Sequence, residues 1–135
     1  MSQSTSRVKK TRVFLNVGRH NVEVASIRPL LQKFSGATNR VPQFSKMGLP
    51  LYTVTFQNEN GISRSFIAVG PAHNASGNAT TWGLLLAVTC SADNAKPSDL
   101  VGQHCNVDVR VDRRGHLFAM DWQPHGFVGS AKVSV

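Results

Sequence analysis

Apolar and polar positions alternate most clearly in two places along this chain, and each place predicts a β-hairpin. LYTVTF (Leu51 to Phe56) is β-branched and aromatic, QNENG (Gln57 to Gly61) supplies turn chemistry, and ISRSFIAV (Ile62 to Val69) is the returning strand. Downstream, Cys105, Val107, Val109 and Val111 fall on one face of CNVDVRV, with Asn106, Asp108 and Arg110 on the other, so one face is predicted as core and the other as wet. DRRG (Asp112 to Gly115) then turns the chain into HLFAMDW (His116 to Trp122). Between the hairpins, TTWGLLLAVTC (Thr80 to Cys90) carries an N-capping threonine and a compact apolar run. It predicts a helix of roughly two to three turns, weakened by Gly83.

Ahead of these units, RVFLNV (Arg12 to Val17) is a short β-prone run, and His20 to Phe34 reads as a long first strand with a bend or edge at Pro29. The sixteen residues from Ser35 to Pro50 form a basic, aromatic-dotted loop, of a length that is usually functional or disordered. Strand, long loop, hairpin, helix, hairpin is the order of an OB-fold. The expected class is therefore all-β with one short helix: a five-stranded OB-fold barrel with the helix between strands 3 and 4. At 135 residues one domain suffices. It is expected over 12–125, after a flexible basic arm at 1–11 and before a tail or edge strand at 126–135.

Charge sharpens the choice of partner. The formal net charge is +8, and nine of the fifteen lysines and arginines lie in the first 46 positions, where Glu23 is the one acid. Such a surplus favours polyanions. Cys90 and Cys105 have no second pair at metal-ligand spacing and are expected as buried free thiols. The five histidines are scattered without helical ligand spacing, and AVGPAHNASG lacks the lysine of a phosphate-binding loop. Asp108, Asp112 and Asp121 could serve a metal-dependent nuclease only if they converged, and alternating exposed positions explain them more simply. No catalytic residue, metal or cofactor is assigned. No apolar run reaches the roughly 20 residues of a membrane span, so no membrane partner is expected, and the expected setting is the cytoplasm. Asn74 and Asn78 match a glycosylation pattern and are taken as polar loop residues.

The segments SIRPLL, SKMGLPLYTVTF, AVGP, WGLLLAV and DLVGQHCNVDVRVDRRGHLFAMDWQP, in that order, resemble the single-stranded DNA-binding OB-fold proteins of bacteriophages and mobile elements. The carrying cues are Ser45, Lys46, Gly48 and Pro50 before strand two, and Leu100, Val101, Gly102 and Cys105 before strand four, within a span of about Val22 to Pro124. The resemblance implies a protein that coats single-stranded DNA during replication, recombination or transfer, as a homodimer or homotetramer in a bacterial host. The chain departs from many bacterial single-strand binders in having no acid after Asp121, so recruitment through an acidic tail is not expected.

Binding a single strand without strong sequence preference takes a positive groove for phosphates and flat rings for unpaired bases. Projected onto an OB-fold, the first loop offers Lys33, Phe34, Arg40, Phe44 and Lys46, the sheet offers Tyr52, Arg64 and Phe66, and the second hairpin turn offers Arg113 and Arg114. Alternatives stay open for several. Tyr52 shares parity with Val54 and Phe56 and is either core or stacking platform; Phe34 and Phe44 either stack on bases or anchor the loop; Arg113 and Arg114 are either ligands or a solvated turn. Trp82, Phe118 and Trp122 are expected to pack. The rival class is an RNA-binding or capsid-type viral β-barrel, for which the basic arm fits equally well.

Overall fold

The computed structural model describes residues 13–33 and 40–127. Period-two patterning becomes the strands β1 (Gly18–Pro29), β4 (Leu51–Asn58), β5 (Gly61–Ala68), β6 (His104–Val111) and β7 (Leu117–Gln123). The short strands β2 (Leu31–Lys33) and β3 (Arg40–Pro42) form a separate antiparallel pair, and one helix, α1 (Thr81–Val88), lies between β5 and β6 in the chain. The five long strands make one antiparallel sheet in the order β5-β4-β1-β6-β7.

β1 is the hinge of the sheet. Its first half pairs with β6, from Gly18 opposite Val109 to Glu23 opposite His104, and its second half with β4, ending at Pro29 opposite Tyr52. A register shift between Val24 and Ser26 marks the changeover. An extra residue there increases twist and bends the strand, so the sheet curls into a half-barrel. The two outer strands are thereby brought within reach: the Ser65 hydroxyl on β5 donates to the Ala119 carbonyl on β7 at 2.6 Å. Val24, Val54, Phe56, Val107 and Val109 are completely buried inside the curl, and Trp82, Leu85 and Leu86 of α1 join them. Each such side chain contributes about 1.5–3 kcal/mol by leaving water.

Gly83 is not a weakness in α1. A Cβ there would lie 1.9 Å from the Ala72 carbonyl oxygen, so glycine is what lets the helix seat against the AVGPA corner. Thr80 caps the helix by accepting from the Gly83 amide at 3.0 Å, while its hydroxyl donates to the Pro71 carbonyl at 2.6 Å. A second close approach occurs at Gly61, where a Cβ would meet the Val13 carbonyl oxygen at 2.4 Å. The Ile62 amide donates to that carbonyl and the Leu15 amide to the Ile62 carbonyl, which delivers Leu15 to the core.

Four expectations are corrected. The first strand does not run to Phe34: it ends at Pro29, and the chain restarts as β2, so the following loop begins with a ladder. Leu30 instead bonds both ways across the loop, its amide to the Leu51 carbonyl and its carbonyl from the Gln43 amide. The polar face of β6 is wet only at Arg110, because Asn106 and Asp108 are 2% and 8% exposed. Arg19 and the turn Pro124–Phe127 cover it: Arg19 donates to Asn106 Oδ1 at 2.9 Å, and Asn21 Oδ1 accepts from both Asn106 Nδ2 and the Gly126 amide. Cys90 is exposed rather than buried, since it sits just past the helix with φ of 57°. Cys105 is buried, and both thiols are free. Finally, the register shift in β7 at Asp121, where φ is 47°, separates Phe118 from Trp122. Trp122 packs on the core against Phe56, whereas Phe118 pairs with Arg110 on the outer side. The arm at 1–11 and the tail at 128–135 lie outside the described residues.

Candidate nucleic-acid interface

Residues directly opposite one another in an antiparallel ladder share a face. Register therefore assembles two rows on the outer surface: Arg28, Thr53 and Phe66 across β1, β4 and β5, and Ser26, Thr55 and Arg64 beside it. The inward neighbours Ser63, Ser65 and Ile67 are buried, so Arg64 and Phe66 both point outward, and Phe66 is 63% exposed. An apolar ring left that open on a strand, on the same face as Arg64 and Arg28, is the informative feature of this surface. Phe14 stands beside it, half-exposed, with the Arg64 guanidinium 5.8 Å from its ring centroid, a cation–π arrangement.

These rows run into the turn between β6 and β7. Asp112 Oδ1 accepts from the amides of Arg114 and His116 at 2.8 and 2.9 Å, and Gly115 takes φ of 85°, which together set the turn. The His116 backbone amide, with further amides of the turn, holds the Asp112 carboxyl below its ordinary pKa. The turn is thus built locally and leaves Arg113 and Arg114 exposed. A groove of about 360 Å³ joins the two features, lined by Phe14, Arg64, Phe66, Gly115, His116 and Leu117.

The remaining predicted residues divide by position. Tyr52 is half-buried and packs on the core, which favours its structural alternative. Phe44 is exposed at the base of a tight turn, where the Ser45 hydroxyl accepts from the Met47 and Leu49 amides at 3.3 and 3.1 Å; Lys46 and Met47 are presented at its tip. The Ser-Lys-x-Gly-x-Pro cue thus has a conformational origin, with Gly48 at φ of 82°. Likewise Leu100 is buried, and Gly102, at φ of 90°, donates to the Val24 carbonyl to start β6. Lys33 and Arg40 are cross-strand partners in the β2-β3 ladder. Phe34 lies outside the described residues.

Folding also sorts the cations. Arg19 is bound to Asp121 and Asn106, and Arg110 pairs with Asp108 at 2.8 Å, so both are neutralised internally. Phe14 and His116 were not singled out from sequence, yet they line the groove, and Arg28, likewise not assigned to the site, stands in the row of Phe66 beyond Thr53. Parity along SIRP was the available signal for Arg28; Phe14 and His116 reach the site only through tertiary approach.

No protein family and no curated protein matches the sequence. Chemistry and geometry therefore carry the functional argument. Asp108, Asp112 and Asp121 are engaged separately, with Arg110, with the turn amides and with Arg19, and among the described residues no three metal-ligating side chains gather. Among the same residues no helix is long and apolar enough to cross a membrane.

Proposed function

We propose that the outer face of β4 and β5 is a single-strand groove and that the chain is an OB-fold protein that coats single-stranded DNA with little sequence preference during replication, recombination or transfer of a phage or mobile genome. The observation that carries this reading is the open Phe66 ring, which shares a groove with Arg64 and the turn that bears Arg113 and Arg114, in a row that reaches Arg28 across Thr53. A flat ring accepts any base, and the flanking cations track phosphates. The sheet order β5-β4-β1-β6-β7, the approach of the outer strands and the helix between β5 and β6 support the OB-fold assignment. On that assignment the groove falls on the second and third barrel strands, where such folds bind oligonucleotides. Binding by several copies along one strand, as a homodimer or homotetramer, completes the proposal.

The test is an anisotropy titration with poly-dT, a matched duplex and a matched RNA strand at two salt concentrations. Preference for poly-dT over duplex, falling with salt, is the expected result. Equal binding to all three would reduce the interaction to generic basic charge, and assembly into large shells would favour the capsid-type reading.

A further inference from the structure

The curled sheet is not closed by a ladder between β5 and β7. Contact across the seam rests on side chains, with Ser65 Oγ donating to the Ala119 carbonyl and accepting from Trp122 Nε1 at 3.4 Å. The seam consequently forms a second groove, of about 750 Å³, walled by Phe66, Phe118, Met120 and Trp122 and closed at one side by Leu84 of α1. That volume is within the roughly 300–1,000 Å³ of small-ligand sites. Leu84 and Met120 are 51% and 43% exposed, although both belong to well-formed elements.

We infer that this seam holds an unstacked nucleobase of the same strand that crosses the β4-β5 face; the inference rests on the single-strand reading above. Continuity is the first argument, since Phe66, His116 and Leu117 border both grooves, so a strand leaving the Phe14–Arg64 groove meets the seam next. Charge is the second. The phosphate-facing cations Arg64, Arg113 and Arg114 belong to the first groove and its turn, whereas among the described residues no lysine or arginine lines the seam, and its carboxylates Asp112 and Asp121 are held by the turn amides and by Arg19. A wall without lysine or arginine offers phosphate no counter-charge, while apolar and aromatic walls favour the face of a base. The backbone of the nucleic acid is thereby directed to the arginine side, and a base toward the seam.

Trp122 reports the occupant directly, because it lines the seam while Trp82 is buried at 2% exposure. With the full chain, a dT oligonucleotide is expected to quench tryptophan fluorescence, and Trp122→Phe to abolish most of that quench. Phe118→Ala and Leu84→Gln should each weaken dT binding about ten-fold, the loss of one stacked base, without changing its salt dependence, since no phosphate contact is removed. Melting curves unchanged from the wild type are expected for both variants and separate lost binding from lost folding. Wild-type affinity in both variants, with an unquenched Trp122, would overturn the inference and leave the seam to a protein partner, even while the Phe66 face binds DNA. Failure of the wild-type chain to bind dT at all would overturn both readings.

Discussion

Ser63 and Ser65 face the same core two residues apart on β5, yet Ser65 is bonded across the seam to Ala119 whereas the buried Ser63 hydroxyl has no partner among the described residues. Opposite effects are expected from the same substitution. Ser65→Ala should destabilise by about 1–2 kcal/mol, because it leaves the Ala119 carbonyl and Trp122 indole unpaired, and Ser63→Ala should be neutral or stabilising by up to about 1 kcal/mol. Urea midpoints measure both. Equal losses would show that the seam bond does not hold the outer strands together.

Phe66 is a surface residue for stability and a central one for the proposed function. Phe66→Ala should leave the melting temperature nearly unchanged, as exposed substitutions usually shift stability by about 0.5 kcal/mol or less, and cost about 1–3 kcal/mol of single-strand affinity. Unfolding instead would return the ring to the core.

Cations should separate by the slope of binding against salt. Arg28→Ala and Arg64→Ala should each lower it by about 0.7, and Lys33, Arg40 and Lys46 replaced together by about 2, one step per phosphate. Arg19→Ala should leave the slope alone and reduce stability, since its charge already serves Asp121 and Asn106. A changed slope for Arg19→Ala would place the strand across β1 and β6 instead.

Gly83→Ala tests the seating of α1. Helix propensity alone predicts a gain of about 1 kcal/mol, but the added Cβ would meet the Ala72 carbonyl at 1.9 Å. A net loss of about 1–3 kcal/mol is expected from that overpacking. Thermal melts showing a gain would mean that the corner shifts freely.

Burial pushes the Cys105 thiol up to about 12 from an ordinary 9.0. Above pH 9 the unfolded chain releases this proton and the folded one retains it, so Cys105 should lower stability progressively between pH 9 and about 12. Cys105→Ala should flatten the pH dependence in that window. At neutral pH, a thiol reagent should modify exposed Cys90 and reach Cys105 only after unfolding.

The two hairpins and the capped helix were legible because their determinants are local: period-two burial, turn residues, and Thr80 followed by an apolar run. The same parity placed Arg64 and Phe66 on one open face, and turn chemistry placed Arg113 and Arg114 at an exposed corner. Pro29 carried the bend, but not the restart as β2, since Leu30 is held by Leu51 and Gln43 from other segments. The wet reading of Asn106 and Asp108 failed for a related reason. The polarity of Asn106 is answered by Arg19 and by the Pro124–Phe127 turn, partners remote in the chain that no periodicity announces, and that of Asp108 by Arg110 two residues along the strand.

Sequence by itself determined which residues alternate, where the chain turns and how much positive charge it carries, because each of these depends on neighbours within a few positions. Tertiary structure alone decided which of those charges remain available, that Phe14 and His116 flank Phe66, and that a seam opens between β5 and β7. Those outcomes follow from register and strand curvature, which join residues dozens of positions apart through hydrogen bonds and packing that exist only once the sheet has formed.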